Sequence, residues 1–333
     1  SGISAAFINS SQTHDERRVV ADAVGGGQLE LLYIAPERLV QERTIEFLKR
    51  ANVSFFAIDE AHCISEWGHD FRPEYRSLKK LRKHFPRAAL HAYTATATEQ
   101  VRADITKQLG LKKSKIIVGS FDRPNLFFRS ERMDDRMAQV REVLRRHKRE
   151  SGIIYCTSRK AVDELSELLN KQGFRTLPYH AGMAAEERSQ NQEAFIQESC
   201  DTIVATVAFG MGIDKSSVRY VIHCGMPKSL ENYQQESGRA GRDGLDADCV
   251  MFYSMGDYYR WKANIEEGAK KNRDSSFRTL RAMVDYCTGI QCRHRSLVEY
   301  FGQKFDPDSC NACDVCSGEL DVVDGAQVIG QKI

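Results

Sequence analysis

The 333 residues carry 48 Lys and Arg against 46 Asp and Glu, a formal charge of +2, and 41% of them are hydrophobic. That size and apolar content suit about two domains with an appendage. The charge balance excludes a bulk basic field, so a nucleic-acid site must be a local patch, and no run approaches the roughly eighteen apolar residues of a membrane span. Of the 10 cysteines, Cys63, Cys156, Cys200, Cys224 and Cys249 lie in apolar runs. They read as reduced, buried thiols of a cytoplasmic protein, not as a disulfide framework.

In chain order, residues 3–8 read as a strand, 15–24 as a helix ending in Gly25-Gly26-Gly27, and 29–35 as a strand stopped by Pro36. Residues 37–50 have helical spacing, with Leu39, Ile45, Phe47 and Leu48 apolar. The run 53–58 reads as a buried strand of a parallel sheet, and Asp59-Glu60-Ala61-His62 follows it. Adjacent carboxylates at the carboxyl end of such a strand stand where α/β sheets bind ligands. Asp59 suits Mg²⁺, a hard cation usually held by one or two carboxylates and nucleotide phosphates. Glu60 suits the water that attacks a γ-phosphate. The next loop sets Trp67, His69, Phe71, Arg72 and Tyr75 close together, and aromatics interleaved with Arg can stack on single-stranded bases.

From residue 59 to residue 75 the sequence resembles motif II and the aromatic-rich loop of the RecQ DNA helicases of helicase superfamily 2. Tyr33-Ile-Ala-Pro-Glu-Arg38 resembles that family's motif Ib. No G-x-x-x-x-G-K-[ST] phosphate cradle occurs in the 333 residues. The family carries it upstream of motif II, so the resemblance implies a chain truncated inside its first lobe. Residues 73–85 read as a basic amphipathic helix, and 90–93 as a strand leading into Thr94-Ala-Thr96. Thr96 and Glu99 match a capping box for a helix over 97–109. Thr94-Ala-Thr96 resembles motif III, whose hydroxyls link hydrolysis to DNA contact; His62 is implied to share that coupling. Residues 116–118 read as a short strand, and 121–126, with Pro124, as the crossing between domains.

A second βα series follows, with a helix at 135–149, a strand at 152–156 and a helix N-capped by Ser158. Residues 151–159 resemble motif IV, placing Ser158 and Arg159 at DNA. His180, at the end of the next strand, fits either a phosphate contact or a satisfied structural histidine. A helix at 184–197 and a strand at 202–207 lead into residues 205–215, which resemble motif V, with Thr206, Gly212 and Asp214 as functional candidates. Strands at 218–224 and 248–253 complete the pattern of parallel sheets covered by helices. Between them, Arg239 and Arg242 stand three apart on an expected helix, and Arg presents a permanently charged fork to phosphate oxygens. This run, Tyr233 to Gly244, resembles motif VI, which makes Arg242 the arginine finger, with Arg239 and Gln235 in support.

Helices at 257–269 and 277–287 precede Cys292-x₁₇-Cys310-x₂-Cys313-x₂-Cys316. Three close cysteines and a distant fourth fit tetrahedral Zn²⁺, with Cys287 or His294 as other sources of the fourth ligand. The family's zinc subdomain matches Cys292, leaving Cys287 as a core thiol. The resemblance thus implies an α/β protein of two RecA-like parallel-sheet lobes, the first truncated at 1–124 and the second at 125–256. A helical zinc subdomain follows at 257–319, and 320–333 lead towards a winged helix. It further implies 3′ to 5′ unwinding of duplex DNA driven by ATP and Mg²⁺ in repair or recombination. Single strands and duplex junctions are the implied partners, in the bacterial cytosol or nucleoid. Two other readings compete. One is a superfamily 2 RNA helicase, which typically reads DEAD, SAT and HRxGRxxR and lacks the four cysteines. The other is a non-catalytic zinc-containing DNA-binding or annealing module.

Overall fold

The computed structural model describes residues 2–9, 12–68, 70–210, 213–268 and 273–320. Its contacts divide the chain into a unit ending at Val118 and a second unit starting at Gly119.

The first unit runs β1 (Ala5–Ile8), α1 (His14–Gly25), β2 (Leu31–Ile34), α2 (Pro36–Leu39), α3 (Glu42–Lys49), β3 (Phe55–Ile58), α4 (Pro73–Ser77), α5 (Leu81–His84), β4 (Ala89–Ala92) and α6 (Glu99–Gln108). Its described strands form two separate parallel pairs, β1 with β2 and β3 with β4. The pair β3–β4 sits on a core of Ile58, Ala61, Ile64, Leu78, Leu81, Val101, Ile105 and Leu109. Several expectations fail locally. The helix expected over 37–50 breaks at Val40 and Gln41 into α2 and α3. The one expected over 73–85 is split by a 3₁₀ turn at Leu78–Lys80, which lets Tyr75, Leu78 and Leu81 all face inward. Thr96 does not cap α6. Thr98 does, accepting from the Val101 N–H, while Thr96 is buried before the helix begins. Residues 116–118 form no strand: no ladder partner meets them among the described residues, and Ile117 is 79% exposed.

The second unit runs β5 (Leu126–Arg132), α7 (Arg136–Arg146), β6 (Ser151–Cys156), α8 (Arg159–Lys171), β7 (Thr176–Tyr179), α9 (Ala185–Ile196), β8 (Thr202–Ala205), β9 (Val218–Cys224), α10 (Leu230–Ser237), β10 (Ala247–Tyr253), α11 (Met255–Glu267), α12 (Arg273–Thr288) and α13 (Arg293–Tyr300). Its six strands are all parallel, in the order β5-β10-β9-β6-β8-β7. Alternate residues of each strand serve opposite faces. Ile154, Val204, Ile222 and Val250 pack under α7 and α8 with Val140, Val143, Val162, Leu165 and Leu169. Ile153, Tyr155, Ile203, Val221 and Met251 pack on the other face with Tyr233, Leu280, Met283, Tyr286 and Leu297. The C-terminal helices therefore share one core with the sheet.

β5 has no counterpart in the sequence reading. It is an edge strand of alternating burial. Its free side is closed by the cysteine segment, where the Phe128 N–H donates to Ala312 O at 3.1 Å and the Asp314 N–H to Phe128 O at 3.0 Å. The segment expected as a domain crossing packs on the second unit from Gly119 onward. Phe121 stacks on Phe301 with ring centroids 4.4 Å apart, and Asp122 lies 2.6 Å from His294 Nδ1.

Gly152 faces Tyr220 across β6 and β9. A Cβ at Gly152 would lie 1.9 Å from the Tyr220 ring, which is fully buried and holds Thr202 through its hydroxyl at 2.5 Å. Gly152→Ala is expected to evict that ring and cost about 1–3 kcal/mol. A denaturation midpoint unchanged from wild type would refute this packing.

Candidate nucleotide, nucleic-acid and metal sites

In the first unit, β3 delivers Asp59 and Glu60 to its carboxyl end. Glu60 is held in the left-handed region at φ 48°, where a residue with a Cβ is uncommon and strained. Asp59 is exposed, and its Oδ1 accepts from the Glu60 N–H at 2.8 Å. The chain then enters a 3₁₀ turn, Ala61–Ile64, whose four residues are all buried. His62 Nδ1 lies 3.3 Å from Glu60 Oε2 and 3.0 Å from Thr94 Oγ1. One ring nitrogen therefore touches both the carboxylate and the threonine of the loop after β4. Thr96 is 2% exposed and its Oγ1 is a buried hydroxyl without a partner among the described residues. Such a group costs free energy unless something pairs with it.

The aromatic loop folds back on that 3₁₀ turn. The Arg72 N–H donates to Cys63 O at 2.9 Å. Ser65 Oγ donates to Asp104 on α6 at 2.7 Å and accepts from the Trp67 N–H at 3.2 Å. A Cβ at Gly68 would stand 2.6 Å from His62 O, so only glycine fits there. Trp67 is 45% exposed. Phe71 lies under the Arg76 guanidinium, and Arg72 is tied to Asp70 at 2.7 Å. Arg72 therefore helps to build the loop. Tyr75 belongs to the core. Burial, then the Asp70 carboxylate, push the Cys63 thiol up to about 12, leaving it an inert packing group. His69 lies outside the described residues.

In the second unit, Arg239 and Arg242 do not share a helix face. α10 ends at Ser237, and both arginines lie in the turns that follow. The reason is Gly241, at φ 54°, whose N–H donates to Val218 O at 2.9 Å and turns the chain towards β10. Arg239 is 8% exposed, and its Nη2 would stand 3.0 Å from a Cβ at Gly210. Arg242 donates to Ile213 O at 2.9 Å and lies 3.7 Å from the exposed Asp214. Burial, then the Arg239 charge, hold its guanidinium below the usual arginine range. Gln235 lies one turn before Arg239 on α10 and is half-buried. The 205–215 segment thus meets the arginine turn, although Gly212 lies outside the described residues.

Ser158 and Arg159 are exposed at the start of α8, with Ser158 Oγ accepting from the Ala161 N–H at 3.2 Å. Thr206 is half-exposed, and its Oγ1 accepts from the Ala208 N–H at 3.4 Å. His180 has both ring nitrogens engaged, Nε2 with Asp163 at 2.9 Å and Nδ1 with the Gly182 N–H at 3.2 Å. Of its two sequence readings, this geometry is that of a loop strut.

Cys292, Cys310, Cys313 and Cys316 bring their Sγ atoms within 4.8 Å of one another. A zinc tetrahedron with Zn–S of about 2.3 Å has S···S edges of about 3.8 Å, so the cluster fits that ion. The Ala312 and Cys316 N–H groups point at Cys310 and Cys313 Sγ, both at 3.4 Å, as thiolates require. Neither alternative fourth ligand is available. Cys287 packs its Sγ 3.8 Å from Met251 Sδ in the core. His294 spends Nδ1 on Asp122, and its Nε2 lies 3.0 Å from Leu126 O and 3.2 Å from Ala312 O.

Residues 2–105 match the DEAD/DEAH box helicase model, 135–244 the helicase conserved C-terminal domain and 255–317 the RecQ zinc-binding model. Among solved structures, Mycobacterium smegmatis helicase Lhr bound to ssDNA and AMP-PNP aligns with a TM-score of 0.60 at 17% identity, over 86% of this chain and 45% of that one. Saccharomyces cerevisiae Dbp5 bound to RNA and ADP BeF3 aligns at 0.58 and 16%, over 87% and 70%. The paired domain models place the chain among proteins built on DEAD/DEAH box helicase domains. The ATP-dependent DNA helicase RecQ of Pasteurella multocida is 41% identical over 100% of this chain and 52% of its own length. That of Bacillus subtilis is 41% identical over 95% and 54%. The RecQ-like DNA helicase BLM of Xenopus laevis is 43% identical over 87% of this chain and 23% of its own length. The chain belongs to the RecQ family of helicases, and spans about half the length of these bacterial relatives.

Proposed function

We propose that this chain forms the motor and zinc-binding portion of an ATP-dependent DNA helicase that unwinds duplexes with 3′ to 5′ polarity in DNA repair or recombination. The observation that carries the reading is Glu60, strained at the end of β3 and touched by a His62 nitrogen that also meets Thr94. Bound ATP with Mg²⁺ supplies the reacting phosphoanhydride and the free energy. Asp59, exposed beside Glu60, would hold the metal ion. Glu60 orients the attacking water or takes its proton. His62, Thr94 and the buried Thr96 hydroxyl relay strand contact to Glu60. Arg242, supported by Arg239 and Gln235, stabilises charge on the phosphate oxygens.

Trp67, Phe71, Arg72 and His69 form the loop that senses a single strand, and Ser158, Arg159 and Thr206 line the strand's path in the second unit. Gly212 and Asp214 couple that path to Arg242. His180 supports its loop. Cys292, Cys310, Cys313 and Cys316 would hold one Zn²⁺, whose four thiolates close the coordination shell and leave it structural. No described helix is long and apolar enough to cross a membrane, and the buried free thiols suit a reducing cytoplasm.

The test of this reading is DNA-stimulated ATPase. Residues 1–333 assayed alone hold no G-x-x-x-x-G-K-[ST] cradle and are expected to show none. A protein joining this chain to such an upstream segment is expected to be active. There Glu60→Gln should lower kcat by about 10²–10⁴-fold with ATP binding retained. Turnover indifferent to Glu60 would refute the assignment, and an inactive joined protein would favour the non-catalytic module.

In the same joined protein, Trp67→Ala and Arg72→Ala should leave single-strand affinity largely intact, because base stacking contributes about 1–3 kcal/mol per base at most and phosphate contacts carry most binding. Both should suppress the stimulation of ATPase by DNA. Weakened binding with a normal stimulated rate at saturating DNA would reduce the loop to a grip.

Metal analysis should find about one Zn²⁺ per chain. Cys313→Ser should lose it and lower the melting temperature, because Cys313 stands beside the β5 edge. A mutant that keeps its metal and melts like wild type would refute the site.

A further inference from the structure

The last carbonyls of α10 are met by the turn that follows it, with the Gly238 N–H donating to Gln234 O, the Arg239 N–H to Glu236 O and the Ala240 N–H to Ser237 O. Arg123 supplies donors for the carbonyls of that turn. Its Nη1 donates to Gly238 O at 3.4 Å, and its Nη2 donates to Ala240 O at 3.0 Å and Gly241 O at 2.7 Å. Asn125 Nδ2 adds bonds to Gly241 O at 2.9 Å and Leu245 O at 2.8 Å, while Asn125 O accepts from the Ala247 N–H at 3.0 Å. Two side chains from one tripeptide therefore hold the turn that carries Arg239 and Arg242. The fit is tight: a Cβ at Gly241 would stand 2.5 Å from Asn125 Nδ2.

This clamp answers a physical problem. Arg239 and Arg242 repel each other, the Arg123 charge adds to that repulsion, and the exposed Asp214, 3.7 Å from Arg242, offsets little of it. A turn carrying two like charges needs its backbone fixed by something else. A guanidinium suits the task, because its planar fork reaches several carbonyls at once and a cation is favourable at a helix C-terminus. A lysine keeps the charge and loses the fork.

We infer that Arg123, with Asn125 beside it, is a positioning residue for the arginine turn, holding residues 238–241 so that Arg242 meets phosphate charge in register. The inference rests on the role proposed above for Arg242. The same segment also reaches the cysteine module, because the Phe121 N–H donates to Gln303 Oε1 at 2.9 Å and Asp122 pairs with His294. The turn and that module thus share one anchor.

The experiment uses the protein that joins this chain to a phosphate-cradle segment. Arg123→Ala, Arg123→Lys and Asn125→Asp are each read in two ways. Amide exchange over 238–244 should quicken about tenfold or more while β6 and β9 keep their protection. The kcat of DNA-stimulated ATPase should fall about 10–100-fold, with KM for ATP within roughly threefold. Adding Arg123→Ala to Arg242→Ala should cost little beyond Arg242→Ala alone, because both remove one interaction. Unchanged exchange over 238–244 overturns the inference whatever the ATPase does, and so do fully additive losses. A wild-type protein without ATPase counts against the role of Arg242, and the exchange result then decides the clamp. Should Arg123→Ala fail to fold, Arg123→Lys and Asn125→Asp carry the same criteria.

Discussion

A parallel sheet must be covered on both faces, because each of its strands is apolar on both sides. In the second unit that requirement organises everything else. α7 and α8 cover one face. The other is covered by α10 together with α12 and α13, which belong to the segment that carries the cysteines. The zinc-binding region is therefore part of the wall that makes the sheet stable, and its loop completes the open edge of β5.

A buried ion pair fixes how that wall meets the sheet. Arg293 and Asp314 are both almost fully buried, with Nε 2.8 Å from Oδ1. Asp314 Oδ2 also accepts from the Ser130 N–H on β5 at 2.9 Å, and Arg293 donates to Tyr286 O and, at 3.1 Å, to Gly289 O. Breaking such a pair by removing one partner leaves an uncompensated charge and typically costs about 3–5 kcal/mol. Arg293 follows Cys292 and Asp314 follows Cys313, so the same backbone that presents two thiols is locked to the sheet edge. The cysteine cluster and the sheet edge are thereby linked through neighbouring residues.

In the first unit the working geometry depends on a short strained segment. Glu60 takes a left-handed backbone so that the chain can leave β3 and turn at once into the buried 3₁₀ segment. His62 then reaches back to Glu60 and across to Thr94, while Ser65 reaches Asp104 on α6. His62 thus joins the carboxylate to the loop after β4, and Ser65 ties the base of the aromatic loop to α6.

Much of this was legible in the sequence, for a local reason. Asp59 to His62 and the spacing of Cys310, Cys313 and Cys316 lie within a few residues of chain, where strand ends and tight loops fix geometry without help. Alternating and continuous apolar runs likewise marked β6, β9 and β10. Thr96 shows where local reading fails: its capping pattern is sound, yet the chain buries it and gives the cap to Thr98. Arg239 and Arg242 were expected on a helix that ends before them, because Gly241 answers to Val218 on β9. Among the cysteine ligands, His294 was withdrawn by Asp122 and two carbonyls distant in sequence. Residues 121–126, with Pro124, read as the crossing between domains. Arg123 acquires its carbonyls only when the sheet places β5 beside β10 and brings Gly241, 118 residues away, within 2.7 Å. Residue type and local spacing were enough to mark which groups can do chemistry and to find most of the strands. Which of those groups meet was decided by the tertiary structure, because sheet order and register set every long-range hydrogen bond.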